Sequence, residues 1–493
     1  MSRNALVIGS GIAGMASAIR LRSKGWSVDV YEANEGPGGK LTQFSSAGYR
    51  FDAGPSLFTL PHLLKEVLSC AGESFSDAFR YEKMDEACRY FWSDGTRLTA
   101  WSDPEDFAQE VEDKLGEPKQ KVLNYLKECA DLNDHTEDVF LRSSLHKLST
   151  YLHPDILSMV KSLPRLHLGK SLHELNAKRF HSQKLIQFFD RFATYNGSDP
   201  YRTPGVMQVI PHLEHNVGTF FPKGGMYGIT ESLHKAAEKS GVQFHFSQPV
   251  EEIIVERKRV QGIRVNGRFV PADLVVTNAD VHSTYRNLMP REKAPQKILA
   301  QERSSSALIF YWGVKKEFPE LGLHNIFFSE DYKEEFRAIF QEQTVGAAPT
   351  IYVNVSSKFN PADAPKGCES WFVMINVPGD HGQDWAAITD RLRQYVIDRL
   401  SAELKCSLEE LIEVEELLDP PTIQKRTSSF RGSLYGSGSN DIWSALLRHP
   451  NFHRHIENLY FAGGSAHPGG GIPLCMLSAE ITAELIEKDH PLD

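Results

Sequence analysis

Three glycine-rich segments and one carboxylate are the groups in this sequence whose spacing could do chemistry. Gly9-Ser10-Gly11-Ile12-Ala13-Gly14 comes directly after the apolar run from Ala5 to Ile8 and opens a helical pattern ending near Lys24-Gly25. The order is strand, glycine turn, helix. In such a turn Gly9 permits the tight bend, Gly11 lets a pyrophosphate approach the backbone, and Gly14 lets the helix pack closely on the strand. The helix N-terminus then faces the phosphates. A second strand, from Trp26 to Tyr31, runs into Glu32 and Ala33, and Glu32 lies 18 residues after Gly14. Its carboxylate can accept hydrogen bonds from ribose hydroxyls and disfavours a 2′-phosphate. The glycine pattern by itself also fits a flexible loop; the strand, the helix and the distance to Glu32 select a dinucleotide site.

The second segment is Gly36-Pro37-Gly38-Gly39-Lys40-Leu41, followed by Gly48-Tyr49-Arg50-Phe51-Asp52-Ala53-Gly54-Pro55-Ser56. Taken alone it reads as a plain turn. The third begins as a buried strand, Leu459-Tyr460-Phe461, entering a glycine turn at Ala462-Gly463-Gly464. Ser465-Ala466-His467-Pro468-Gly469-Gly470-Gly471-Ile472-Pro473 then carries the chain into a final helix. His467 before a proline could work as an acid or base, or could order the loop by hydrogen bonding. His212-x-x-His215 and His453-x-His455 lack accompanying ligands, so no metal is expected. No carboxylate or histidine stands out by spacing as a catalytic base, and the catalytic residues stay unassigned.

The elements that must position these groups lie far apart in the chain. Val250 to Val255 and Val260 to Val265 alternate as two strands, and Asn266-Gly267 turns into Arg268-Phe269-Val270, giving a small antiparallel meander. Ala272 to Asp280 returns a strand ending at Thr277-Asn278 towards the nucleotide. Asp94-Gly95 reads as a hairpin turn, and 103–180 reads mainly as helices suited to covering a long apolar tunnel. At 493 residues, two domains are expected. With 41% hydrophobic and 24% charged residues the composition is that of a globular protein. The net charge of −10 gives no reason to seek phosphate backbones, so nucleic acid is not expected as a partner. Six scattered cysteines without C-x-x-C spacing fit a reduced, cytoplasmic chain. No run of about 20 uncharged apolar residues is present, so any membrane contact is expected to be peripheral.

The glycine segments together resemble the glutathione-reductase-like flavoproteins, in the branch that contains amine oxidases and carotenoid desaturases. The end of the chain, His467-Pro468-Gly469-Gly470-Gly471-Ile472-Pro473, is similar to the C-terminal signature of bacterial-type FAD-dependent carotenoid (phytoene) desaturases. Arg191 to Pro200 and Phe221-Pro222-Lys223-Gly224-Gly225-Met226 match that family in order and spacing. Where phytoene desaturases commonly read HPGAGIPG, this chain reads HPGGGIPL, which resembles the carotenoid 3,4-desaturase branch.

The resemblance implies an α/β fold: a discontinuous Rossmann-like FAD-binding domain near 1–75, 225–300 and 440–493, with an interleaved α+β substrate and membrane-facing domain at 76–224 and 301–439. It implies noncovalent FAD held by Gly9, Ser10, Gly11, Ile12, Ala13 and Gly14, by Glu32 and Ala33, and by Gly39, Lys40 and Leu41. It extends this set to Gly54, Pro55 and Ser56, to Val250 beside the adenine, to Asn278, and to Gly464, Gly471 and Ile472. Many relatives carry Arg where Lys40 stands, so a bidentate contact is expected to become a point charge. The helix after Gly471 should stabilise negative charge on the flavin and raise its oxidising power.

The activity implied is desaturation of an acyclic or monocyclic carotenoid near an end group by hydride transfer to flavin, with quinone or oxygen as acceptor. A phytoene-type desaturase, a carotenoid isomerase, a retinol saturase, an amine oxidase and a flavin-free escort-type carrier share parts of the pattern. Between Leu141 and Phe180, seven cations (Arg142, Lys147, Lys161, Arg165, Lys170, Lys178, Arg179) face only Asp155 and Glu174. That stretch is either a solvated helical face or a docking surface for anionic lipid.

Overall fold

The computed structural model describes residues 3–136, 141–147, 166–167 and 169–491. Two sheets organise the chain. The first has five parallel strands in the order Leu459–Phe461, Leu274–Thr277, Asn4–Ile8, Ser27–Tyr31, Gln243–His245. Ala5, Leu6, Val7 and Ile8 are all buried, the continuous apolar run that a parallel strand covered on both faces requires. On one face lie the helices Ile12–Ser23, Tyr227–Lys239 and Ile472–Asp489. Ile12–Ser23 is buried almost all round, which explains its lack of a polar stripe. Its Arg20 pairs with Glu480 of the last helix at 3.4 Å, joining the two ends of the chain. On the other face sits the meander Val250–Glu256, Arg259–Val265, Arg268–Pro271, turning at Asn266-Gly267 as the sequence predicts.

The second sheet has seven strands in the order Ile412–Leu418, Ser306–Val314, Glu369–Val377, Ile351–Val355, His324–Phe327, Glu86–Phe91, Arg97–Trp101. All its neighbours are antiparallel except His324–Phe327 with Glu86–Phe91. Side chains alternate across it with period two. Leu308, Phe310 and Trp312 pack with the helix Trp385–Leu404, whereas Ile309 points to the opposite face with Phe372. That opposite face becomes a wall of the site. Pro104–Leu115, Lys119–Thr136 and Leu172–Arg179 are helical, in keeping with the helix-rich reading of this region. Lys161, Arg165 and Asp155 lie outside the described residues. Among the other cations of that stretch, Arg142 contacts Glu66 and Glu480 at 3.4 Å, Lys147 meets Asp489 at 3.3 Å, and Arg179 is bonded to Glu128. Three of the seven cations are thus answered within the protein, while Lys170 and Lys178 are exposed.

Candidate functional site

The parallel strands end in register. Ile8 stands opposite both Tyr31 and Thr277, and Thr277 opposite Phe461. The residues that follow, Gly9, Glu32, Asn278 and Ala462, therefore meet at the carboxyl edge of the sheet, where open α/β folds bind ligands. A Cβ on Gly14 would come 2.0 Å from the Gly9 carbonyl oxygen, so only glycine lets the helix start this close to the strand. Asn278 lies between the two turns. Its Nδ2 donates to the Ala462 carbonyl at 2.8 Å, and its Oδ1 would be 2.7 Å from a Cβ on Gly11.

Two helix N-termini open on one cavity of about 840 Å³. The helix Ile12–Ser23 begins at Gly11 and the helix Ile472–Asp489 at Gly471. Neither has a side-chain cap or an acidic residue in its first turn, so their amides and dipoles are available to an anionic ligand. Glycine at 471 adopts φ 111° and has open space where a Cβ would stand. These features fit a long dinucleotide with a phosphate at one helix and an electron-poor ring at the other.

Glu32 is buried, and Ser10 explains its orientation. The Ser10 amide and hydroxyl donate to one carboxylate oxygen at 2.8 and 2.9 Å, while the Asn34 amide and side chain donate to the other at 2.9 and 2.7 Å. A ribose hydroxyl must therefore exchange with the Ser10 hydroxyl or the Asn34 amide group. All the predicted cofactor residues line the cavity except Ser10 and Gly14, which act from behind it. Lys40, expected as a point charge on a phosphate or ribose, lines the cavity and donates two of its three ammonium N–H groups to the carbonyls of Ser433 and Leu434 at 2.9 and 2.8 Å. Burial, with Arg303 adding to it and Asp280 opposing, pushes the Lys40 pKa down to about 8.

His467 has the ordering role. It is buried, its Nε2 is 3.0 Å from the Ser143 carbonyl, and its own carbonyl accepts from Asn451 and Ser478 at 2.8 Å. Burial pushes its pKa down to about 3, which keeps the ring neutral. His215 stacks on Phe107, and His453 Nδ1 accepts from the His455 and Ile456 amides. Among the described residues no group of three or more His, Cys, Asp or Glu could hold a metal.

The rest of the cavity wall is mostly apolar, with Ile309, Phe372 and Met374 from the second sheet and Leu141, Leu145 and Ile210 from the helical side. Polar exceptions occur together. Ser56 Oγ is 2.6 Å from the Tyr352 hydroxyl, which is 2.7 Å from His324 Nδ1. Burial pushes the His324 pKa down to about 3. Glu335 accepts from the Thr350 amide and hydroxyl at 3.1 and 2.7 Å, and burial pushes its pKa up to about 7. Sequence reasoning missed Asn34, Tyr352, His324 and Glu335. Asn34 stands two residues after Glu32, whereas Tyr352, His324 and Glu335 offered no spacing to find them by.

The family described as flavin containing amine oxidoreductase matches residues 12–487. The chain is 49% identical to a 1-hydroxycarotenoid 3,4-desaturase of Flavobacterium sp. (strain P99-3), over 99% of this chain and 100% of that protein. It is 31% identical to a 4,4′-diapolycopene oxygenase of a Methylomonas species, over 99% of each. The structure of cyclohexylamine oxidase from Brevibacterium oxydans superposes with a TM-score of 0.63 at 16% identity, covering 99% of both chains.

Proposed function

Because the chain belongs to the family of flavin-containing amine oxidoreductases, we propose that it desaturates a carotenoid at the 3,4 position near an end group. The observation that carries this is the continuous cavity running from the two uncapped helix N-termini onto the apolar wall of Ile309, Phe372 and Met374. FAD, held noncovalently, would supply a two-electron acceptor for the hydride lost from an allylic carbon, the neighbouring carbon losing a proton to a base as the double bond forms. In this reading the amides after Gly11 meet its pyrophosphate and Glu32 its ribose, while Gly464, Gly471 and Ile472 admit the ring. The apolar wall aligns an acyclic or monocyclic polyene and excludes water. Val250, Ala33 and Asn278 border the adenosine side, and Gly54, Pro55 and Ser56 the ring side.

The cofactor part comprises residues near 1–75, 225–300 and 440–493, and the substrate part 76–224 and 301–439. All five parallel strands fall in the first set and all seven strands of the second sheet in the other, which supports the division. Substrate enters from a lipid surface by peripheral contact, and quinone or oxygen takes the electrons. Trp443, 69% exposed, stands beside Ala445 and Leu446 at the cavity wall and suits such a surface. No described helix is long and apolar enough to cross a membrane.

Incubating FAD-loaded protein with carotenoids in liposomes tests the reading. A product lighter by two hydrogens and absorbing at longer wavelength is expected. An isomer of unchanged mass, a hydrogenated product, turnover of amines alone, or a protein that takes up no FAD would each replace it.

A further inference from the structure

Four carboxyl side chains line the cavity among the described residues: Glu32, Glu214, Asp280 and Glu335. Three are answered by their surroundings. Glu32 is held by Ser10 and Asn34, Asp280 is paired with Arg303, and Glu214 lies 3.4 Å from Arg191 Nη2 and accepts from the Tyr195 hydroxyl. Glu335 differs. Among the described residues it forms no ion pair, and both of its hydrogen bonds, from the Thr350 amide and hydroxyl, go to Oε2. Oε1 has no hydrogen-bond partner there, and unlike Glu214 Oε1 it is not sealed inside the protein, so it opens on the cavity. A carboxyl buried without a cation costs stability, which an aliphatic side chain at this point of an apolar wall would avoid.

The second sheet places Glu335 near the ring end. Thr350 directly precedes the strand Ile351–Val355, so it and Tyr352 point to one face about 7 Å apart. Both line the cavity, and the Tyr352 hydroxyl is 2.6 Å from Ser56 Oγ, in the turn assigned above to the ring side. Glu335, bonded to Thr350, is thus one such step along the polyene wall from the ring border. Burial strengthens its carboxylate as a base by pushing the pKa up to about 7, with Thr350 and Ser329 opposing. The phenols that face it, Tyr332 on its own helix, Tyr201 and Tyr395, are held above their ordinary range by burial and stay protonated. The cavity histidines are weaker bases, since burial pushes His324 and His467 down to about 3.

We infer that Glu335 is the catalytic base of the desaturation, its Oε1 taking the proton from the carbon next to the one that gives up hydride. The inference rests on the desaturase reading. Hydride leaves with its electron pair to the flavin, so the polyene is oxidised and the flavin reduced by two electrons. The C–H electron pair that the proton leaves behind becomes the second bond of the new alkene. Glu335 ends as the neutral acid and releases the proton to water. Before that transfer, its negative charge steadies the positive charge developing on the polyene.

The test uses FAD-loaded full-length protein and a polyene that wild type oxidises in liposomes. Glu335→Gln keeps an oxygen for the Thr350 bonds and loses the proton acceptor. It should cut kcat by about 100-fold or more with KM little changed. Deuterium on the carbon that loses the proton should slow the variant more than wild type, which a merely loosened fold would not produce. In wild type kcat/KM should fall as pH drops through about 7, and the variant should lose that dependence. Infrared titration of flavin-free protein gives a readout apart from turnover. Wild type should show a carboxylic acid band that disappears as pH rises through about 7, and Glu335→Gln should lack it. If Glu335→Gln fails to fold, Glu335→Asp, one methylene shorter, should keep such a band and lose kcat. A variant with wild-type kcat, or a wild-type kcat/KM flat across about pH 7, would overturn the base while leaving the desaturase reading standing. Flavin-loaded wild type that oxidises no polyene would bring down both.

Discussion

The two ends of the cavity are built by different means. At the nucleotide end the surface is backbone: glycine turns, helix N-termini and one carboxylate held by Ser10 and Asn34. At the polyene end it is side chains from strands and helices scattered through the chain, with a few polar groups pinned among them. A backbone surface tolerates almost no added atoms but needs few residue identities. A side-chain surface tolerates reshaping, and its specificity lies in individual residues.

Substitutions should separate the two ends by size of effect. Gly14→Val puts carbon where the Gly9 carbonyl oxygen already stands, 2.0 Å from an ideal Cβ. Flavin affinity should fall on the order of 100-fold or more, read as loss of bound flavin absorbance after gel filtration. Glu32→Ala strips four hydrogen bonds from Ser10 and Asn34 and takes away the proposed ribose acceptor. Apoprotein titration with FAD should show a dissociation constant weaker by about 10- to 100-fold. If Gly14→Val binds flavin normally, the nucleotide end is not a backbone cradle; if Glu32→Ala does, the carboxylate is not the ribose acceptor.

At the polyene end the expected effects are on pH and stability. Glu335 has its pKa raised to about 7, so the folded protein keeps a proton that the unfolded chain releases from about pH 4.5 upward. Stability from this group is fully present below pH 4.5 and is lost as pH rises through about 7. Glu335→Gln should therefore raise the melting temperature by roughly 2–4 °C at pH 8 relative to wild type, with the difference vanishing near pH 4.5. A pH-independent difference would show that burial of its charge is not what shifts the group. Trp443→Ser, at an exposed position next to the wall residues Ala445 and Leu446, should weaken liposome binding by roughly threefold and leave flavin affinity alone; equal binding by both proteins would remove Trp443 from the membrane contact.

The same contrast governs what the sequence revealed. Gly9, Gly11, Gly14 and Glu32 were legible because a pyrophosphate and a sugar impose a fixed spacing on consecutive residues. The meander and the Asp94-Gly95 hairpin were legible because their turns need particular residues; the latter joins Glu86–Phe91 to Arg97–Trp101 as expected. Arg191, Glu214, His324, Tyr352 and Glu335 gave no such pattern. They come from separate elements: His324 and Tyr352 from neighbouring strands of the second sheet, and Arg191, Glu214 and Glu335 from three helical segments. Lys40 shows the limit from the other side: its position was clear, but its carbonyl partners, Ser433 and Leu434, lie nearly four hundred residues on.

The parallel sheet gains its edge strand, Leu459–Phe461, and the first helix gains its neighbour Ile472–Asp489, only from the end of the chain. During synthesis the first strand and helix leave the ribosome long before the segments that cover them. Their apolar surfaces must wait exposed or be sheltered by a chaperone. A product cut short by a premature stop before residue 459 would lack both the edge strand and the second helix N-terminus. It should accumulate as insoluble chain rather than as a weak enzyme.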